Sequence, residues 1–218
     1  MSKSSANVPL LIVGTGPEAR EALEIANRMD VLVYGYIATQ PLADDASREI
    51  NDILIISELG TEEANLLFDE QNLKLLIAEG NLARRQEVVE QLKASHKDKI
   101  ENLIHPDCSI SPYAKLGTGC LFNAWTTIGP NVLLGSYNYL GSKVTIESDA
   151  QIGDFCTINS GVVIGKGASI AAECYIGHGA IIGSEVIVGE GALIAAGSVV
   201  FSDVEEGATV FGNPAQAK

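Results

Sequence analysis

Gly14-Thr15-Gly16-Pro17-Glu18-Ala19 follows an apolar run at residues 9–13 and matches the G-x-G-x-x-A pattern of a strand-to-helix turn that receives phosphate. Gly14 and Gly16 let the backbone approach a diphosphate near a helix N-terminus, and Ala19 lets the helix pack closely on the strand. The acid that would hold a ribose hydroxyl is missing, because the second strand runs into Ala38-Thr39-Gln40, and a redox dinucleotide loses support. A tight turn with no ligand is the alternative. His178 can contact a ligand or move a proton near neutral pH, and its alternative is an exposed histidine without a role; His105, just before Pro106, reads as a junction contact. Only Lys115, Lys143, Lys166 and Lys218 are basic after Ile104, so an anionic ligand there must rely on backbone N–H groups and one or two local lysines. For Lys143 and Lys166 the competing reading is a solvated outer face. A net charge of −14 opposes any nucleic-acid surface.

The element that positions the later residues is a six-residue ladder. Ile104, Ile110, Leu116, Phe122, Ile128, Leu134, Leu140, Ile146, Ile152, Ile158, Ile164, Ile170, Ile176, Ile182, Val188, Ile194 and Val200 are all large and apolar. Four residues after each stands a smaller side chain. Such a period belongs to a parallel β-helix in which positions one and five of each hexad point inward and the Gly or Asn at position two, as in Gly117, Asn123 and Gly129, supplies the backbone freedom for turning. Cys108, Cys120, Cys156 and Cys174 all fall at position five, which explains them as buried packing groups without a metal or a disulfide. His178 falls at position three, an outward corner. Trp125, Tyr137 and Tyr139 also fall at outward or corner positions, where packing between subunits is favoured over a sugar-binding wall.

The first part alternates strands and helices: strand 9–13, helix 18–29, strand 31–37, a loop rich in Ala and Asp, strand 53–56, helix 61–71, strand 73–78 and helix 82–96, the last with Asn81 as its cap. A short charged linker spans residues 97–102. The expected organisation is an α/β Rossmann-like domain at residues 1–102 and an all-β helix at 103–218. Residues 1–8 lack the features of a secretory signal, and the apolar runs 8–13 and 53–56 are too short to span a membrane, so a cytoplasmic protein without membrane insertion is expected.

A small Rossmann-like part, an unbroken hexad coil beginning near Ile104-His105-Pro106, and the tail Gly212-Asn213-Pro214-Ala215 together resemble bacterial nucleotide-sugar acetyltransferases of the left-handed β-helix class, the branch acting on sialic acid, bacillosamine and perosamine. The resemblance covers nearly the whole chain. It implies a left-handed coil, acetyl-CoA as co-substrate, no metal, a nucleotide-linked amino sugar as acceptor, and a homotrimer with active sites between subunits.

The family's general base is a histidine in a segment reading aliphatic, acid, His, acid; the matching stretch here is Ile146-Glu147-Ser148-Asp149, with Ser148 in the histidine's place. Two further family histidines correspond to Thr157 and Val163. A neutral serine cannot hold the acceptor's proton. Three readings follow: an amine acceptor that arrives neutral, with Glu147 or Asp149 assisting proton release; His178 in the role of base; or a non-catalytic trimeric scaffold. By the resemblance His178 lines the pantetheine arm of the donor, which favours a cofactor contact. Gly179, Ala195, Ala196 and Gly197 keep small residues where CoA lies against the coil edge, Asn213-Pro214-Ala215 matches the adenine end, and Thr157 and Lys166 join the expected cofactor contacts. On the acceptor side the family's Gly-x-Gly-Gly-His-Gly loop has Pro17, Glu18 and Ala19 in its last three places, and Ala38-Thr39 stands where an acidic pair is usual. Gly80-Asn81 with Arg84 and Arg85 keeps the pattern, so Gly14, Gly16 and Asn81 are the expected acceptor contacts. The leading expectation is an acetyl-CoA-dependent N-acetyltransferase of bacterial surface-glycan biosynthesis; a sugar O-acetyltransferase and a binding scaffold are the alternatives.

Overall fold

The computed structural model describes residues 8–217, so residues 1–7 of the segment read for a leader, and Lys218, lie outside it. The described chain forms two compact units, the first ending at Leu103 and the second beginning at Ile104. No described helix is long and apolar enough to cross a membrane.

In the first unit β1 (Leu10–Val13), β2 (Val33–Ala38), β3 (Glu49–Ile50), β4 (Ile53–Glu58) and β5 (Lys74–Ile77) form one sheet in the order β3-β4-β2-β1-β5. All pairs are parallel except the β3–β4 hairpin. That hairpin lies partly within the stretch expected to be loop. Its two-residue turn, Asn51-Asp52, has φ of 49° and 65°, the left-handed conformation that Asn and Asp tolerate best among residues with a Cβ. Helix α1 (Pro17–Arg28) buries Ala19, Ala22, Leu23, Ile25 and Ala26 on one face. Helix α2 is Glu62–Asp69.

The expected helix 82–96 is two helices, α3 (Leu82–Gln91) and α4 (Ala94–Lys97), because Leu92 and Lys93 turn extended. The break seats His96 inside, where its Nε2 lies 2.7 Å from Asp69 Oδ1 and its ring packs against Phe68. The segment after it is not a free linker. Leu75 donates to Lys99 O, and Glu101 donates to Leu75 O, so the chain adds itself beside β5. Hydrogen bonding to His96 holds the Asp69 carboxyl below its ordinary value. A depressed carboxylate contributes stability above its unfolded pKa and loses it as pH falls through the folded value. Asp69→Asn is therefore expected to lower the urea midpoint at pH 7 and to converge with the parent once the pH lies below the depressed Asp69 value; equal midpoints at pH 7 would remove this pair from the account.

The second unit is a coil of two-residue parallel strands in three sheets. Ile146 pairs with Ile128 one coil below and Ile164 one coil above, so each coil holds eighteen residues, three hexads. The ladder residues from Phe122 to Val200 are buried, and Ile104, Ile110 and Leu116 of the first coil are partly buried. The first face carries the strands ending at Phe122, Leu140, Ile158, Ile176 and Ile194. The second carries those ending at Ile128, Ile146, Ile164, Ile182 and Val200, and the third those ending at Leu134, Ile152, Ile170 and Val188.

Position-two glycine does not act as expected. The left-handed backbone occurs at position four, in Asn131, Lys143, Asp149, Gly161, Gly179 and Gly197 among others. Position two needs glycine for stacking: a Cβ on Gly129 would meet Ser148 N at 2.7 Å, and one on Gly141 would meet Ser160 N at 2.4 Å. Where Asn replaces it, the amide bonds the coil above, as Asn159 Nδ2 does to Ile176 O at 2.9 Å. The four free cysteines sit at position five, and their thiols face the corner carbonyl fifteen residues on: Cys108 to Asn123 O at 3.2 Å, Cys120 to Gly135 O at 3.3 Å, Cys156 to Ala171 O at 3.2 Å and Cys174 to Gly189 O at 3.1 Å. Thr126 and Asn138 serve the same carbonyl position. Small size and a donor together account for these residues.

Candidate functional site

Because β1 and β5 are neighbours, the turn after each opens at the same edge of the first unit's sheet, the point where α/β folds bind ligands. Gly14 has φ of 136°, and a Cβ on it would lie 2.1 Å from Ala78 O, so its permissive backbone is used for close approach. Gly16 caps α1. The opening is lined with acid rather than prepared for phosphate. A Cβ on Gly80 would lie 2.2 Å from Glu18 Oε1, which places that carboxylate against the β5 turn. Glu79, 9% exposed, accepts from Thr39 Oγ1 and from Asn81 N, and pairs with Arg84 at 3.4 Å. Asn81 is engaged internally: its Oδ1 receives Arg84 N as the helix cap while its own N–H is bound by Glu79. Gly14, Gly16 and Asn81, the expected acceptor contacts, thus lie together at this edge and each has a structural role there. Glu18 at the helix N-terminus competes with an incoming phosphate, whereas Glu79 is paired with Arg84. Glu79, the organiser of this edge, was not anticipated, and no spacing in the sequence marks it.

In the second unit the expected catalytic set divides. Glu147, Ser148 and Asp149 lie on the corner between the second and third faces, where Glu147 Oε2 accepts Lys166 N at 2.9 Å and Asp149 Oδ1 accepts Asn131 Nδ2 at 3.0 Å. Lys166 belongs to this corner, one coil above Ser148, and not with the other expected cofactor contacts. Each carboxylate thus accepts one hydrogen bond on one oxygen, which orients it at the corner. His178 stands on the corner between the first and second faces, so within one coil it does not join Ser148.

That first corner comprises residues 105–108, 123–126, 141–144, 159–162, 177–180 and 195–198. It gathers His178, Gly179, Ala196 and Gly197 in adjacent coils. Thr157 lies on the strand entering it, half-buried and paired in register with Tyr175. The tail strand Thr209–Gly212 continues the first face past Ile194, and the hairpin turn carrying Asn213 and Pro214, joined by a cis bond, follows at the same end. His178, Gly179, Ala196, Gly197, Asn213 and Pro214 are exposed.

Charge is sorted between the corners. The second carries Glu147, Asp149, Glu185 and Asp203, and the third Asp154, Glu173, Glu190, Glu205 and Glu206; the first corner carries Asp107 in its lowest coil but no carboxylate over residues 123–198, where it holds Lys143 and His178. The outward strand positions on the first and second faces are uncharged as well, from Leu121 and Thr127 to Leu193 and Val199. Among the described residues, the backbone N–H groups of Ser160, His178 and Ala196 donate to no protein acceptor, whereas Gly161, Gly179 and Gly197 donate to the coil below. Stacked coils repeat every ~4.8 Å, so these donors form a ladder suited to an extended anionic ligand with its own carbonyls. The individual residues are legible in the sequence, but the segregation emerges only when the eighteen-residue coil sorts the acids above the first coil onto two corners.

Residues 126–160 and 143–177 match the family model described as bacterial transferase hexapeptide (six repeats). The middle of the coil carries that repeat. No curated protein matches the sequence. Among solved structures, the acetyltransferase domain of PglB from Neisseria gonorrhoeae FA1090, in complex with acetyl coenzyme A, is 26% identical with a TM-score of 0.84, covering 98% of this chain and 100% of that one. PerB from Caulobacter crescentus, in complex with CoA and GDP-perosamine, is 22% identical with a TM-score of 0.76, over 99% and 100%. WeeI from Acinetobacter baumannii AYE is 20% identical with a TM-score of 0.61, over 96% and 99%. The last two likenesses concern the fold. The whole chain, both units included, thus has counterparts in single solved chains.

Proposed function

We propose that this chain is a CoA-dependent sugar N-acetyltransferase, with a left-handed coil and an acyl donor lying along the first corner. The carrying observation is the acid-free stretch of one corner, residues 123–198: in a chain of net charge −14, it combines His178, small residues at Gly179, Ala196 and Gly197, and unpaired N–H groups. The PglB domain with acetyl coenzyme A supports the identity of the donor. A nucleotide-linked amino sugar is the finer acceptor reading, supported by the GDP-perosamine complex of a protein sharing this fold.

In this reading a neutral amine attacks the thioester carbonyl and the C–N bond forms; as the C–S bond breaks, the surplus proton on nitrogen passes to the departing thiolate, giving the amide and CoA thiol. A free backbone N–H at the corner stabilises the developing oxyanion. With Ser148 where the resemblance expects a base, the amine arrives neutral, Glu147 or Asp149 assists proton release, and orientation carries most of the catalysis. A homotrimer belongs to the same proposal, because the Ser148 and His178 corners are separate in one coil and meet only if a second copy contributes. No metal is required.

The test is acetyl transfer from acetyl-CoA to a panel of nucleotide-linked amino sugars, read by mass spectrometry; no product with any acceptor, together with no CoA binding by calorimetry, would overturn the proposal. As a cofactor contact, His178→Ala should raise the KM for acetyl-CoA about tenfold, the loss of one ordinary hydrogen bond, with kcat nearly unchanged. Ser148→Ala should leave both parameters within a few-fold. A hundredfold fall in kcat for His178→Ala with a displaced pH profile would instead make His178 the base.

A further inference from the structure

Trp125 and Lys143 occupy position four of the first corner in successive coils, with φ of 61° each. The coil imposes the left-handed conformation there, and bulky residues bear it at a cost of roughly 1–2 kcal/mol that Gly avoids. Elsewhere the cost has a visible return: Tyr137 and Phe155 stack on each other with centroids 4.9 Å apart. Trp125 is 59% exposed, with the Lys143 ammonium 5.6 Å from its ring centroid. An exposed aromatic plane beside a cation is the chemistry that binds a sugar ring carrying an anionic substituent: C–H groups pack on the indole, and the ammonium meets the negative charge.

Position along the corner sets what such a pair would meet. Counting upward, position four reads Trp125, Lys143, Gly161, Gly179 and Gly197, so the pair lies two and three coils below Gly179, about 10–14 Å at ~4.8 Å per coil. The corner ends above at the Asn213-Pro214 turn. A donor running down from that turn past His178 brings its acyl end toward Ser160, leaving the two coils beneath it for the acceptor. The first unit's turn presents the Glu18 carboxylate to an incoming phosphate, its Glu79 being paired with Arg84, whereas Lys143 has no carboxylate in residues 123–198 of its corner and Asp107 lies two coils below it.

Resting on the donor placement proposed above, we infer that Trp125 and Lys143 are the acceptor-recognition pair, with the sugar ring against the indole and the phosphate attached to that sugar at Lys143. Trp125 is the sole tryptophan, so its fluorescence reports this site alone. Titration of the full-length protein with glucosamine 1-phosphate should change the emission saturably at a concentration at least tenfold lower than glucosamine requires. Lys143→Met should abolish that preference while calorimetric acetyl-CoA affinity stays within twofold.

Three outcomes overturn the inference: equal responses to the two sugars; a tenfold loss of acetyl-CoA affinity in Lys143→Met, which would assign the lysine to the donor; or an emission that shifts with protein concentration and answers to no sugar, which would assign Trp125 to a subunit seam. Failure to bind acetyl-CoA at all would defeat the proposed function separately, since the sugar titration does not depend on it.

Discussion

Ala196→Glu is expected to weaken acetyl-CoA binding roughly thirtyfold. Ala196 is exposed on the corner that carries no carboxylate over residues 123–198, and its backbone N–H is free to donate. A glutamate there sets a negative charge beside an anionic ligand. Like-charge juxtaposition costs several kcal/mol when buried, and on an exposed corner screening brings this to about 2 kcal/mol, which is the thirtyfold factor. Calorimetry in low and high salt checks it: the loss should shrink as salt rises, and Ala196→Gln, of the same shape without the charge, should retain most of the affinity. The same substitution at an acidic corner, Ser184→Glu, should matter little, since Glu185 already stands beside it. Parental affinity in Ala196→Glu would mean that the donor does not lie along this corner.

The second large effect concerns stability and separates two glycines of one hexad. Gly177→Ala is expected to destabilise the coil by about 3 kcal/mol, because its Cβ would lie 2.5 Å from Ala196 N and 2.8 Å from Ile194 O, backbone atoms of the next coil that cannot move without parting the stack. Gly179→Ala meets nothing within 4 Å and bears only the φ of 67°, about 1 kcal/mol or less once the stiffer unfolded chain is counted. Urea unfolding followed by far-ultraviolet circular dichroism should rank them in that order. The reverse ranking would show that the left-handed conformation at position four outweighs coil stacking at position two.

Much of the architecture was legible because its signals are local and periodic. Seventeen apolar residues from Ile104 to Val200 set the register, and the register named the corner residues, His178 and Ser148 included. The strand-to-helix turn at Gly14 and the cap at Asn81 were legible for the same reason, each being a short-range requirement of backbone geometry. The break in the helix at Leu92 and Lys93 was not, since it depends on seating His96 against Asp69 and Phe68, residues more than twenty positions away. Nor was the acid lining of the first unit's turn: Glu18 meets Gly80, and Thr39 meets Glu79, only after three strands are brought side by side.

By itself, then, the sequence determined a six-residue period, the inward and outward positions within it, and the presence of a serine where the resemblance expects a histidine, since all of these are properties of neighbours along the chain. Tertiary structure alone decided what each glycine is for, which residues share a corner, and where charge is absent. Those depend on contacts eighteen residues apart, where the close approach of stacked backbones excludes a Cβ and where, above the first coil, the carboxylates fall on two corners of three.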